Sequence, residues 1–300
     1  MTAIDIGVCT FRREHITKTL CSLAALKLKP GWQVRVIVAD NDEHPSAKDH
    51  IETAAKDYKL NLTYVHAPAR NISIARNACL RTATAPYLAF IDDDEIVTSE
   101  WLITLMDKLD GSKADVVLGP VQALYAEHHP IWMKKGNFHA TQPVWVNGKI
   151  ITGYSCNVLM RWAGSKWQNL RFLEELGNSG GEDTVFFATA HKTGAVIEFA
   201  PNALAIEAVT DQRASRMWLL KRAFRSGQTH GYILLEKSRE HHALHAFYVL
   251  RAALKADICF LVALSMFWYP KKFYFWLQRG TLHTGVVARL LGQKELKQYG

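Results

Sequence analysis

The chain has 300 residues, 49% hydrophobic and 21% charged, with a formal net charge of +8. That is ordinary globular composition, long enough to bury a sizeable core in one large or two small domains. With 18 Gly, 9 Pro and five scattered Cys, none in a CxxC spacing, it is not a disordered, collagen-like or disulfide-stapled chain, and the cysteines read as reduced thiols of a cytosolic protein without a zinc site.

The first 120 residues alternate in pattern. Continuous apolar runs at 4–9, 34–39, 62–66, 87–91 and 116–118 predict strands, and helical periodicity at 16–26, 47–58, 72–82 and 101–109 predicts the helices between them, the last with Ser99 as N-cap. Nothing before the run 4–9 resembles an export signal, since its flanking basic residues, Arg12 and Arg13, come after it. Buried strands alternating with helices imply an α/β fold with a mostly parallel sheet covered on both faces. Between 120 and 180 the pattern loosens into Gly- and Pro-punctuated loops with a strand or two, carrying Trp132, Trp145, Trp162 and Trp167 as core residues or as stacking faces for sugars. A helix at 182–191, a strand at 195–199 and a helix at 213–226 follow. From about 243 the chain reads as helical, apolar and basic. Residues 1–210 hold 21 Lys and Arg against 23 Asp and Glu, whereas residues 211–300 hold 15 against 5. The longest apolar run in that tail, 258–269, is too short to cross a bilayer, and the alternatives are an interfacial segment or a helical pair packed on the core.

Parallel sheets bind ligands beyond the carboxyl ends of their strands. There the sequence places Thr10-Phe11-Arg12-Arg13, then Asp40-Asn41-Asp42, then Arg70, then Asp92-Asp93-Asp94-Glu95. Alone, the Asp and Asn residues could be turn openers and Arg70 a surface charge. Four adjacent carboxylates repel one another, so either the turn is fully solvated or a hard cation such as Mg²⁺ or Mn²⁺ relieves it. There is no P-loop and no GxGxxG, which leaves phosphates to a metal and to Arg or Lys. Gly180-Gly181-Glu182-Asp183 opens a helix, as capping acids or with a general base. Arg213, Arg216, Lys221, Arg222 and Arg225 follow as a solvated helix face or as a clamp on phosphate. Among thirteen His, His230 is the best ligand candidate, and the pairs His128-His129 and His241-His242 do not read as metal clusters.

Taken in order, these segments resemble inverting glycosyltransferases of family 2. The Thr10-Phe11-Arg12-Arg13 segment, Val38-Ala39-Asp40-Asn41-Asp42, Arg70-Asn71 with Arg76-Asn77, Phe90-Ile91-Asp92-Asp93-Asp94 (the DxD element) and Gly181-Glu182-Asp183 match the family's motifs over roughly residues 4–230. The resemblance implies a GT-A fold, Rossmann-like, with a catalytic domain over 1–230 (1–120 for the nucleotide sugar, 121–230 for the acceptor) and a helical membrane-associating tail over 231–300. It implies that Thr10, Asp40 and Arg70 hold the uracil end of a UDP-sugar, with Arg12 in the same binding group. Asp93 would hold the ribose and Asp94 the Mn²⁺ or Mg²⁺, with Asp92 the other candidate ligand. Asp183 would be the base. Glu182, Arg213, Arg216 and Trp162 would stand on the acceptor or diphosphate side. The synthase motif Gln-x-x-Arg-Trp is not met, which implies one sugar per event. More narrowly the chain resembles bacterial exopolysaccharide glucosyltransferases of the succinoglycan type. That implies UDP-glucose as donor, a polyprenyl-diphosphate-linked glycan as acceptor, and a peripheral place on the anionic cytoplasmic face of the bacterial inner membrane, with no nucleic acid as partner. A lipopolysaccharide, O-antigen or protein glycosyltransferase of the same fold, or a basic binding protein without catalysis, are the alternatives.

Overall fold

The first strand, β1 (Thr2–Thr10), is buried from Ile4 onward, as a continuous apolar run should be in a sheet covered on both faces. In this computed structural model, which describes residues 1–296, β1 pairs in parallel with β2 (Trp32–Asp40) on one side. The last four residues of the expected tail, 297–300, lie outside the described residues. Helix α1 (Ile16–Ala24) connects β1 to β2. Helix α2 (Lys48–Asp57) leads to β3 (Leu62–His66), parallel to β2, and α3 (Ile72–Thr82) returns the chain to β4 (Tyr87–Asp92), parallel to β1 on its other side. After β5 (Glu95–Val97), α4 (Trp101–Asp110) packs on the sheet with Trp101 fully buried. Its N-cap is Glu100 without a side-chain bond, so Ser99 does not cap it as expected.

The second half threads into the same sheets. It contributes β6 (Val116–Leu118), β7 (Val121–Leu124), α5 (Ile131–Gly136), β8 (Trp145–Val146), β9 (Lys149–Ile150) and β10 (Asn157–Arg161). Helix α6 (Glu182–Lys192), β11 (Ile197–Phe199) and β12 (Ala205–Ala208) follow. Strand β10 lies antiparallel between β4 and β6, and the large sheet runs β3-β2-β1-β4-β10-β6-β11-β9-β8. A small sheet runs β5-β12-β7. The expected nucleotide and acceptor halves therefore share both sheets.

Three long helices close the described chain: α7 (Arg216–Ser238), α8 (His242–Ser265) and α9 (Pro270–Leu290). Ser215 caps α7, accepting from the Trp218 N–H at 3.2 Å, so Arg213 lies in the loop before the helix and the expected boundary at 230 falls inside it. Among the described residues no helix is long and apolar enough to cross a membrane.

Candidate functional site

The strand register aligns three carboxyl ends: Thr10 on β1 stands opposite Asp40 on β2, and Cys9 opposite Asp92 on β4. Beyond them opens a cleft of about 950 Å³, ample for a nucleotide sugar. On its β1–β4 side the Thr10 hydroxyl donates to Asp93 Oδ2 at 2.7 Å and Arg13 donates to Asp93 Oδ1 at 3.0 Å. Arg13 also pairs with Asp94. Burial pushes the Asp93 carboxyl up to about 7, although Arg13 and Thr10 pull it down. Asp92 is 38% exposed to the cleft; burial raises its pKa and Arg76 opposes the rise. Glu95, fully buried behind it, accepts from the Asp92 N–H at 3.2 Å, and burial pushes it well above the usual carboxylate range. Arg213 pairs with Glu207 at the end of β12 and approaches Asp94 at 3.6 Å.

The facing wall begins at Gly181, whose φ of +93° turns the chain into α6. Glu182, next in sequence, is buried and paired with Arg76. Asp183 is half-buried in the cleft. Its Oδ1 accepts from the Thr184 N–H at 2.6 Å, and no hydrogen bond among the described residues falls on Oδ2. Arg76 comes from α3 and is itself buried; one of its nitrogens meets Glu182 and the other lies 3.6 Å from Asp92. It ties the two acidic motifs to one point.

The third wall is helical. Arg222 and Arg225 of α7 and Arg279 and His283 of α9 line it, with Arg213 at the entrance. His139 steadies that entrance. Its Nε2 lies 2.9 Å from the Arg213 carbonyl oxygen, which can only accept, so Nε2 carries the proton; the ring stacks on Trp218, and burial lowers its pKa to about 4. A second clasp joins His128 and His129 to Asp211 at 2.8 and 2.9 Å. The Ala126 N–H donates to His129 Nδ1, which puts the ring proton on Nε2 and disqualifies that nitrogen as a metal ligand.

The structure brings Thr10, Arg12, Arg70, Asp92, Asp93, Asp94, Glu182, Asp183 and Arg213 to one cleft, and His230 also lines it. Arg12 and Arg70 sit on its rim with left-handed backbones, paired with Asp42 at 2.9 Å and Glu43 at 3.2 Å. Three expected residues lie elsewhere. Asp40 is fully buried, its oxygens used by the Asp42 N–H, the Tyr64 hydroxyl and the Ala47 N–H, so it shapes the loop after β2 and does not face the cleft. Arg216 lies over the Tyr274 ring of α9 at 5.5 Å, outside the cleft lining. Trp162 is buried in the core beneath the sheet. Glu207 and His139 are cleft residues that the sequence did not single out, and Arg13 and Arg76, present in its motifs, had no role assigned there. For Arg13 a signal existed, because it directly follows Arg12 in the segment beyond the first strand, where ligands bind.

A family model described as glycosyl transferase family 2 matches residues 5–166. The chain is 46% identical over 297 residues to the succinoglycan biosynthesis protein ExoM of Rhizobium meliloti (strain 1021), covering 99% of this chain and 96% of the relative. It is 26% identical over 121 residues, 39% of this chain and 37% of the relative, to a GalNAc(5)-diNAcBac-PP-undecaprenol beta-1,3-glucosyltransferase of Campylobacter jejuni subsp. jejuni serotype O:2. Among solved structures, the mannosyltransferase PcManGT from Pyrobaculum calidifontis, in complex with GDP-Man and Mn²⁺, shares the fold at a TM-score of 0.61 and 17% identity, over 97% of this chain and 88% of that one. S. aureus TarS 1–349 in complex with UDP-GlcNAc does so at 0.56 and 17%, over 98% and 93%. With a family model covering more than half of the chain and a relative matched over nearly its whole length, this GT-A-fold chain belongs to glycosyl transferase family 2 and is a glycosyltransferase.

Proposed function

We propose that the enzyme moves one sugar, glucose from UDP-glucose, onto a polyprenyl-diphosphate-linked glycan during exopolysaccharide assembly, with inversion at the anomeric carbon. The observation that carries this reading is Arg76, which joins Glu182, neighbour of the proposed base, to Asp92 of the DxD loop and so sets base and donor loop across one cleft. The names of the succinoglycan protein and of the undecaprenol-linked glucosyltransferase support the pathway and the lipid-linked acceptor.

The donor set fits a hard divalent cation, Mn²⁺ or Mg²⁺. Asp92, Glu95 and Cys156 offer ligand atoms within 4.8 Å of one another, but burial raises the pKa of the Cys156 thiol and of the Glu95 carboxyl and so disfavours the anionic forms a metal takes. The oxygens of Asp92 and Asp94, both lining the cleft, are the better pair, Asp94 foremost. When bound there, the metal would neutralise charge on the leaving diphosphate. Thr10, Arg12 and Arg70 would hold the uracil end, and Asp93 the ribose. Asp183 takes the proton of the acceptor hydroxyl as its oxygen bonds to the anomeric carbon; the bond to the diphosphate oxygen breaks, and its electron pair leaves with UDP. An α-linked donor thus gives a β-linked product. Arg213 and Arg222, which line the cleft, would meet the charge that develops on the diphosphate. Glu182 stays paired with Arg76 and orients the wall that carries Asp183.

The test is UDP release from a panel of nucleotide sugars, with Mn²⁺, with Mg²⁺ and with EDTA, in wild type and Asp183→Asn. Metal-dependent release from UDP-glucose is expected, falling about 10²–10⁴-fold in the variant while UDP binding by calorimetry is retained. A variant that turns over like wild type removes Asp183 as the base, and metal-independent release removes the DxD role.

A further inference from the structure

Helix α8 is built inside out. Its inward residues are small: Ala252, Ala256, Cys259 and Ala263 are buried. Its outward residues are large: Phe247, Leu250, Leu254, Ile258 and Leu261 are exposed, Leu250 by 71% and Leu261 by 67%. At about 100° per residue these five fall within roughly 40° of Leu254, so they form one stripe. The stripe continues to the α8–α9 turn, where Phe267, Trp268 and Tyr269 are exposed, Trp268 by 84%. From Phe247 to Trp268 it is about 30 Å long. A continuous apolar surface of that length calls for something to cover it.

Three features select the cover. A helical pair would use the heptad seam 247, 250, 254, 257, 261 and 264, and Asp257 stands in the middle of it; a second copy docked there would bury two like charges. Against a lipid surface Asp257 lies about 60° from the line through Leu254, at the margin of the stripe, where its exposed carboxylate can stay on the headgroup side. The charge also matches: residues 241–290 hold six Lys and Arg and the single acid Asp257, with Arg251 and Lys255 beside the stripe and Lys271 and Lys272 just past the aromatic turn. Aromatic residues next to cations suit the headgroup depth of a bilayer. Since no described helix can span, the surface must lie along the membrane.

We propose that the outer face of α8 and the α8–α9 turn dock the enzyme flat on an anionic bilayer. This deepens the reading that the acceptor is lipid-linked. Helix α9, packed under α8, lends Arg279, Leu282 and His283 to the cleft, so docking brings the helical wall of the active site within one helix layer of the lipid.

The test uses the full chain and vesicles of phosphatidylcholine with and without phosphatidylglycerol. Wild type is expected to sediment with the anionic vesicles. A Leu254→Gln/Leu261→Gln/Trp268→Gln variant should lose about tenfold or more in partitioning, with an unchanged thermal midpoint and unchanged UDP release in lipid-free solution. Lys271→Gln/Lys272→Gln should lose about fivefold per cation on anionic vesicles and nothing on neutral ones. Wild type that stays in the supernatant overturns the proposal, as does a triple variant that binds like wild type. So does a lipid-free dimer that the triple variant converts to monomer. Absence of UDP release in wild type would instead strike the catalytic reading and leave vesicle binding untouched.

Discussion

Arg76 holds two carboxylates that would otherwise be stranded, Glu182 and Asp92, and its guanidinium lies 5.6 Å from the Phe172 ring centroid. Replacing it by methionine keeps the packing and removes the charge, so Arg76→Met should destabilise the protein by about 3–5 kcal/mol. Glu182→Gln should cost much less, because burial already pushes that carboxyl toward its neutral form and Arg76 keeps Asp92. Urea unfolding of both variants checks the asymmetry; equal losses would mean that Asp92 contributes nothing to holding Arg76. Asp93 makes a pH prediction. Its carboxyl titrates near 7 in the folded protein against an ordinary value of about 3.9 in the unfolded chain. Between the two, the native state keeps a proton that the unfolded chain has released, so stability falls as pH rises through the window and flattens above it. His139 and His283, lowered to about 4 by burial, act in the opposite sense, but only below the unfolded histidine value of about 6.5. The carboxyl therefore shows cleanly from about pH 6.5 to 7.5, where metal-free protein should lose roughly 0.5–1 kcal/mol. Glu95 and Glu207, also raised by burial, steepen the same fall. Arg13→Met should extend it to higher pH, since Arg13 is what pulls the carboxyl down. Denaturation in EDTA across that range measures it, and a rising slope would mean that Asp93 is ionised in the native state.

At the scale of elements, the start of α6 sets the geometry of the base. Gly181 has φ +93°, and a Cβ there would come 2.4 Å from Thr229 Oγ1 of α7. Gly181→Ala thus meets both a left-handed backbone, costing about 1–2 kcal/mol, and a neighbouring helix. It should displace Asp183 and lower kcat about tenfold or more while nucleotide affinity holds; adding Thr229→Ala relieves only the contact. Unchanged turnover in Gly181→Ala would show that the base tolerates a shifted wall. Elements of this kind divide by how local their causes are. Strands β1, β2 and β4 were legible because a buried parallel strand is a continuous apolar run, and the acids after β4 and before α6 were legible because such clusters need a reason. Strand β10 was not: five residues, Asn157–Arg161, in a Gly- and Trp-rich stretch become a central strand only through antiparallel pairing with β4 and β6. Arg76 stands in one of the motifs, but its role as a bridge is invisible until Glu182, 106 residues away, meets it. Asp40 sits in the right motif, yet Tyr64 of β3 turns its carboxylate away from the cleft, a contact with no trace in local sequence. Trp162 was ambiguous for the same reason, since its burial depends on residues distant in the chain.

At the scale of the molecule, the charge asymmetry and the helical layer are one design question: whether the C-terminal helices are an appendage or part of the catalytic body. The α7–α9 crossing answers for the latter. A Cβ on Gly227 would come 1.9 Å from the Leu282 carbonyl oxygen, and one on Gly285 2.0 Å from that of Phe224. Both obstacles are backbone, so neither can yield unless the helices separate. Both helices also line the cleft, through Arg222, Arg225 and Thr229 on one and Arg279, Leu282 and His283 on the other. Prying the crossing apart must therefore disturb the site. Gly285→Leu should cost about 3 kcal/mol or more, lowering the thermal midpoint by about 6 °C or more, and UDP release should fall with it. Unfolding should remain a single transition by calorimetry, because Arg225 of α7 donates to the Ser179 carbonyl before α6 and Tyr274 of α9 stacks on Trp132 of α5. The exposed α8 triple variant should leave both midpoint and UDP release where they are, since its side chains are mostly in water. A Gly285→Leu protein that melts in two steps, with the catalytic step unmoved, would make the helices a separable anchor, and the cleft would then have to be complete without Arg222, Arg225 and Arg279.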